Sequence, residues 1–389
     1  MQTADFSHCL DTLLIHAGEP RPRMGGALIL PVFQSATFAF PDPSGDPALR
    51  YIRLNNTPNH EVLHAKLAAL EKAEAALVTA SGMAAIAAVL LTVLGSGDRI
   101  LVQQGLYGGT HGLIHQDLAR LGISADVVSD DDPADWRRHL QPGTRAFYVE
   151  TITNPTLRVA DLEAVAAFCR EHGLVSIIDN TFASPVNFRP LEHGFDLSLH
   201  SATKYLNGHS DIVAGAVIGG ANLVERVKQR LDHLGASLDP HACFLLHRGL
   251  KTLGVRVRQQ NSGAEAVARF LSGHPAVARV NYPGLENHPD HPRAKGLFDG
   301  YGGMLSFEID GGAAVAEAFL SHLRLPVVAP SLGGVESLIT RPAATSHAGM
   351  TPAQRAAMGI GDNLVRMSVG LEAPEDLIAD LDQALAGGG

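Results

Sequence analysis

Lys204 sits in the run Asp196-Leu197-Ser198-Leu199-His200-Ser201-Ala202-Thr203-Lys204-Tyr205-Leu206-Asn207-Gly208-His209-Ser210. The run sets two hydroxyls, two imidazoles and a glycine around one amine, where a surface lysine in a turn needs no such company. Burial and donor neighbours lower an ammonium's pKa, and the neutral amine forms an imine with a carbonyl, so the pattern suits a covalent nucleophile. Three other pieces could serve it. Ala80-Ser81-Gly82-Met83-Ala84-Ala85-Ile86 follows a strand-like run and opens a helix. A small-residue turn there leaves backbone N–H groups at the positive helix end, and with the Ser201 and Thr203 hydroxyls it describes a phosphate cradle made from two distant segments. Ser-Gly is also an ordinary helix start. Asp179, in Ile177-Ile178-Asp179-Asn180-Thr181, stands just past an apolar strand. Most such aspartates cap turns, yet open α/β sheets bind ligands at that edge, and a carboxylate there can keep a pyridinium nitrogen protonated. Tyr107, in Gly105-Leu106-Tyr107-Gly108-Gly109-Thr110, follows the strand Ile100 to Gln103 and could stack on a planar ring; in isolation it reads as packing. Together the four match pyridoxal 5′-phosphate, and few other cofactors want all of them.

The elements that must position these groups alternate. From Glu61, the residues Val62, Leu63, Leu67 and Leu70 read as an amphipathic helix, followed by the buried strand Ala75-Ala76-Leu77-Val78. Arg99 to Val102, Ala146 to Val149 and Val175 to Ile178 are short apolar runs separated by helical stretches such as Leu162 to Arg170, and Ile212 to Ile218 is a last strand before a polar helix near Leu223 to Asp232. That rhythm predicts an α/β fold with a large domain whose mostly parallel sheet is covered by helices on both faces, over 59–245. The texture then changes, and 246–389 reads as a smaller C-terminal α/β domain containing strands Met304 to Ile309 and Leu364 to Val369. Residues 1–58 have no sustained period and read as an N-terminal arm lying on another domain or subunit.

Composition bounds the partners. The 389 residues are 46% hydrophobic, enough for one large core or two domains. A formal charge of −10 without a basic tract points to a small molecule rather than nucleic acid. No run of eighteen apolar residues suggests a membrane span, and Met1 to Ser7 lacks the basic start of a signal peptide, so a cytoplasmic location is expected. Cys9, Cys169 and Cys243 are too few for a disulfide framework or a thiolate metal site. His288-Pro289-Asp290-His291 lies in a proline-rich loop with no third ligand, so no metal is expected. His200 and His209 read as structural supports of the lysine segment.

The stretch Asp196 to Ser210 resembles the cofactor-attachment signature of the Cys/Met-metabolism family of fold-type I pyridoxal-phosphate enzymes, which holds the cystathionine γ-synthases, cystathionine β- and γ-lyases, methionine γ-lyases and homoserine sulfhydrylases. The resemblance runs from Thr12-Leu13-Leu14-Ile15-His16-Ala17-Gly18 to Glu375-Asp376-Leu377-Ile378-Ala379-Asp380-Leu381, with its motifs in the family's order. It implies Lys204 as the lysine that carries the cofactor as an imine, Asp179 as partner of the pyridine nitrogen, Tyr107 over the ring, and Ser81, Gly82, Met83, Ser201 and Thr203 around the phosphate. Tyr51-Ile52-Arg53 resembles a Tyr-x-Arg whose residues reach the neighbour's phosphate across a dimer, which implies a homotetramer of two catalytic dimers with a shared site. The Asn-Pro-Thr that usually follows stands here as Asn56-Thr57-Pro58-Asn59-His60. Arg366 resembles the clamp on the substrate α-carboxylate, Asn154 the contact to cofactor and carboxylate, and Ser331 the serine supporting substrate and lysine.

In such a site the lysine moves protons between Cα, C4′ and Cβ, and a γ-leaving group departs. Hydrolysis of what remains gives a 2-oxo acid, the outcome of a γ-lyase; capture by a thiol gives a γ-synthase or an acylhomoserine sulfhydrylase. Ser331-Leu332-Gly333-Gly334-Val335-Glu336-Ser337-Leu338 resembles the γ-synthases and cystathionine γ-lyases, whose glutamate faces the distal amine of cystathionine. Gly109 stands where methionine γ-lyases usually have cysteine. Gly112 and Leu54 stand where succinylhomoserine-using synthases carry arginines, and losing both cations would weaken that substrate by a few kcal/mol, roughly. The expectation is therefore γ-elimination of the cystathionine γ-lyase kind. Arg341, where relatives often have histidine, keeps other substrates open, among them methionine, acetylhomoserine and canavanine. A β-lyase is disfavoured by Glu336, and a non-catalytic relative by Lys204, Asp179 and Arg366.

Overall fold

The short apolar runs become strands whose carboxyl ends lie along one edge of a single sheet. The computed structural model describes residues 9–39, 49–346 and 348–387. Its larger sheet contains β1 (Ala75–Thr79), β2 (Arg99–Gln103), β3 (Ser124–Val128), β4 (Thr144–Glu150), β5 (Val175–Asp179), β6 (Leu197–His200) and β7 (Gly215–Gly219). Their order is β1-β7-β6-β5-β4-β2-β3. The pairs from β6 to β3 are parallel, and β7 runs antiparallel to both β6 and β1. Parallel strands covered on both faces must be apolar on both, which is why Phe147, Tyr148, Val149, Ile177 and Ile178 follow one another fully buried. Hydrophobic pattern did not mark β3, because an edge strand needs only one buried face; its Asp126 instead pairs with Arg99 on β2 at 2.6 Å.

The register decides what reaches the site edge. Glu150, the last residue of β4, lies opposite Asp179, the last of β5, and β6 ends at His200 directly before the Ser201 to Lys204 turns. A second sheet holds β8 (Val277–Asn281), β9 (Met304–Ile309), β10 (Val327–Val328), β11 (Leu338–Thr340) and β12 (Leu364–Ser368), in the order β10-β11-β12-β9-β8. It has its own apolar core with the helices Leu253–Ser272 and Pro374–Gly387, including Val267, Leu271, Phe307, Met367 and Leu381. The border expected between residues 245 and 246 falls inside the helix Pro240–Leu250, whose apolar face packs in the larger core, so the helical texture that suggested a border begins before the chain leaves the first sheet.

The arm is divided. Helix α1 (Leu10–His16) buries Leu13 and Leu14 in its own subunit's core, and Lys66, on α2 (Pro58–Leu70), donates from Nζ to the Leu14 carbonyl at 2.9 Å. This part of the arm lies on the large domain of its own chain. Further on, Leu28 and Ile29 are 79% and 54% exposed in the single chain. Met1 to Ser7 and residues 40–48 of the arm lie outside the described residues. Among the described residues no helix is long and apolar enough to cross a membrane, and no group of His, Cys, Asp and Glu could hold a metal ion.

Candidate active site

A cavity of about 740 Å³ opens at the carboxyl edge of the larger sheet and is closed on its far side by Ser331, Leu332 and Arg366 of the second domain. Its floor is a helix start. α3 (Gly82–Val93) is capped by Ser81, whose Oγ accepts the Ala84 N–H at 3.0 Å and whose carbonyl accepts the Ala85 N–H at 3.1 Å. The first two N–H groups, of Gly82 and Met83, are left to the cavity that both residues line, at the positive end of the helix. Ser201 closes against them. A Cβ on Gly82 would lie 2.8 Å from Ser201 Cβ, so only glycine permits this approach. Ser201 Oγ has no hydrogen bond among the described residues, whereas Thr203 Oγ1 both accepts the Ala214 N–H (3.0 Å) and donates to its carbonyl (3.2 Å). Ser201 is thus the hydroxyl available to a ligand, and Thr203 first of all pins the loop.

Lys204 reaches the cavity from the same turns and donates from Nζ to Ser331 Oγ at 2.6 Å. Burial, with the Arg366 charge adding to it, lowers its ammonium to about 8. Ser331 has φ = +86°, a backbone state unfavourable to a residue with a Cβ, and it is held there by contacts on both sides: its hydroxyl meets Lys204 and its carbonyl accepts from Arg366 Nη2 at 3.1 Å. Arg366, the central residue of β12, also donates from Nη1 to Asn154 Oδ1 at 3.0 Å. It is 6% exposed, its Nε has no partner, and no carboxylate pairs with it among the described residues. Burial lowers even this guanidinium to about 10. A desolvated fork with an idle donor is the arrangement expected of an anion clamp.

On the other wall, Asp179 accepts from Thr181 N–H (3.0 Å) and Thr181 Oγ1 (2.5 Å), with Tyr148 Oη 3.5 Å from its second oxygen. Burial nonetheless pushes its carboxyl above the usual range, and no ion pair offsets this among the described residues. A protonated ring nitrogen would supply the missing charge. Tyr107 is 43% exposed over the mouth, and its backbone N–H donates to Glu150 Oε1 at 2.6 Å.

The cavity therefore gathers Lys204, Tyr107, Asp179, Ser81, Gly82, Met83, Ser201, Thr203, Asn154, Arg366 and Ser331, all of which the sequence had singled out. It does not gather the rest. Tyr51 and Arg53 are outside their own cavity; Arg53 lies over the Tyr51 ring and donates to the Asp232 carbonyl at 2.8 Å. Glu336 is exposed and absent from the wall, with its carboxylate beside Gly334, because solvent solvates it and no cation among the described residues pairs with it. Arg341 is buried but is tied to Glu317 and to the Asp362 carbonyl, so its charge serves the second domain and not the cavity. His200 pairs with buried Glu71 behind the sheet, and His209 with the Asn207 carbonyl, both as structural supports. Sequence reasoning missed Glu150, Thr181, Phe182, Val213, Thr345 and Ser346. The signal for Glu150 was present: an acid at the end of an apolar strand, the same feature that marked Asp179.

The residues fit pyridoxal phosphate: a helix start and a free hydroxyl for the phosphate, an amine near neutrality, an uncompensated buried carboxylate for the ring nitrogen, and a ring-bearing residue at the mouth. Comparisons agree. Residues 11–386 match the family model for the Cys/Met metabolism PLP-dependent enzymes. The L-methionine γ-lyase of Pseudomonas putida is 41% identical over 383 residues, 96% of each chain. The cystathionine γ-lyase of Bacillus subtilis is 41% identical over 375 residues, 96% of this chain and 98% of that protein. A crystal structure of cystathionine γ-synthase from Xanthomonas oryzae pv. oryzae, in complex with aminoacrylate and cysteine, superposes with a TM-score of 0.95 at 38% identity, covering 98% of this chain and 99% of that one.

Proposed function

The chain belongs to the Cys/Met-metabolism family of pyridoxal-phosphate-dependent enzymes, and on that premise we propose that it catalyses γ-elimination from a homocysteine-type amino acid, with cystathionine as the reference substrate. The relatives whose names support this are lyases and synthases of sulfur amino acids. The observation that carries the reading is the cluster of Arg366, Asn154, Ser331 and Lys204, which sets one carboxylate clamp beside one mobile amine.

Bound pyridoxal phosphate supplies an electron sink for the substrate's α-carbon. The protein's part follows from its geometry. Arg366, with Asn154, fixes the α-carboxylate and so fixes which face of Cα is presented to Lys204. Lys204 Nζ, steadied by Ser331 Oγ, takes the Cα proton, gives it up again so that the amine is neutral, and then takes a Cβ proton as the γ-substituent leaves with the bonding pair. An amine lowered to about 8 is close enough to neutrality to act in both directions. Asp179 holds the negative charge opposite the ring nitrogen. Replacing it in Asp179→Asn is expected to lower kcat by about 10²-fold with little change in KM, measured by steady-state keto-acid release. Gly82→Ala is expected to push Ser201 back and raise the dissociation constant for pyridoxal phosphate about tenfold, measured by reconstitution of apoenzyme.

A second reading concerns the leaving group. The only cations in the wall, among the described residues, are Lys204 and Arg366, and the uncharged lining includes Tyr107, Gly109, Val213, Leu332, Thr345 and Ser346. With Glu336 and Arg341 outside the wall, an uncharged thioether such as methionine suits it as well as a zwitterionic cysteine arm. The two are separated by kcat/KM for 2-oxobutanoate release from cystathionine and from methionine. The synthase alternative is tested in the same assay by supplying O-acetylhomoserine with cysteine and measuring cystathionine.

The reading includes a cytoplasmic homotetramer in which Tyr51 and Arg53 complete the neighbour's cavity. It is supported by their position outside their own cavity and by the exposed Leu28 and Ile29 nearby in the arm.

A further inference from the structure

Glu150 is a buried acid that the reaction above does not use. It is 5% exposed, lines the cavity, and has no ion-pair partner among the described residues. As register partner of Asp179 on an adjacent parallel strand, it shares a face with that residue at a backbone spacing of about 4.8 Å. Two carboxyl groups so placed cannot both hold a charge cheaply, and the donors around them decide which does. Asp179 has the Thr181 N–H, the Thr181 hydroxyl and the more distant Tyr148 hydroxyl. Glu150 has the Tyr107 N–H and, more weakly, that of Asn154. The charged groups that act on Glu150 are Asp179 and Asp130, both acids, while the hydroxyl facing the pair is that of Tyr148, two residues back on Glu150's own strand. Burial and those two acids push the Glu150 carboxyl well above the usual carboxylate range.

The contacts of Glu150 also lead to the aromatic platform. Its backbone N–H donates to Gln103 Oε1 at 2.7 Å, tying β4 to the end of β2, and its Oε1 holds the Tyr107 N–H at the start of the next helical turn. We infer that Glu150 is a positioning residue working as a neutral carboxylic acid: its Oε1 fixes the backbone of Tyr107, and its retained proton leaves Asp179 the single negative charge facing the cofactor's ring nitrogen. This is independent of which γ-substituent leaves.

The test uses the holoenzyme and three variants read in parallel. In wild type at pH 7, an infrared difference spectrum against Glu150→Gln shows a carboxylic-acid carbonyl stretch that the variant lacks. Glu150→Gln, which keeps a neutral acceptor, retains at least about a third of wild-type kcat, and the pH titration of its cofactor's visible band keeps the wild-type midpoint. Glu150→Leu, which loses the acceptor, lowers kcat about tenfold at an unchanged midpoint. Glu150→Asp, too short to reach Tyr107, behaves like the leucine variant. The inference is overturned by a missing carbonyl stretch, by a loss of 100-fold or more in the glutamine variant, by a shifted midpoint in that variant, or by wild-type kcat in the leucine variant. The infrared and visible readouts need no substrate, so their failure is distinguishable from a wrong assignment of the reaction.

Discussion

Lys204→Ala is expected to leave a folded protein that holds the cofactor without a covalent bond and turns over at least about 10³-fold more slowly. The amine is the basic group set beside the carboxylate clamp, and the side chains around it do not replace it: Ser331 is a hydroxyl and Arg366 stays charged even when lowered to about 10. After borohydride reduction and denaturation, wild type keeps its cofactor and the variant loses it. The same amine leaves a mark on stability. Its folded value of about 8 lies below the ordinary 10.5, so the unfolded chain binds the extra proton between those pH values. Wild-type apoenzyme therefore gains stability relative to Lys204→Ala as pH rises from about 8 to 10.5, and carries the full penalty below 8. Thermal melts of the two apoproteins across that window check the sign.

Arg366→Leu is expected to lower kcat/KM by about 10²- to 10³-fold, chiefly through KM, because truncating a buried charged donor costs about 3–4 kcal/mol of carboxylate binding. The guanidinium is already oriented before substrate arrives, by Asn154 Oδ1 and the Ser331 carbonyl, so little ordering remains to be done on binding. Arg366→Lys should fall between the two, as it keeps the charge and loses the fork. An amine product analogue lacking the carboxylate should bind both variants as well as it binds wild type.

How much of this was legible in the sequence depended on whether the backbone or a distant side chain set the position. Asp179, Lys204 and Ser81-Gly82-Met83 stand at strand ends or a helix start, where local pattern fixes both location and direction. The alternation that gave the parallel sheet was equally local. Glu150 obeys the same rule, standing at the end of β4 as Asp179 stands at the end of β5. Glu336 and Arg341 were different. A residue type at a motif position says nothing about which way it turns, and Arg341 turns toward Glu317, 24 residues earlier, while Glu336 stays in solvent. The division of the arm was likewise hidden, because Leu13 and Leu14 find their partners in α2, far along the chain. Substrate choice rests on such long-range contacts and so was the least legible part.

The most direct test of γ-elimination is the identity of the keto acid released when the holoenzyme is incubated with cystathionine and, separately, with methionine. γ-Elimination gives 2-oxobutanoate and ammonia from at least one of them, with cysteine as the thiol from cystathionine. Pyruvate with homocysteine would contradict it, as would the absence of any keto acid alongside cystathionine formation from an acylhomoserine and cysteine.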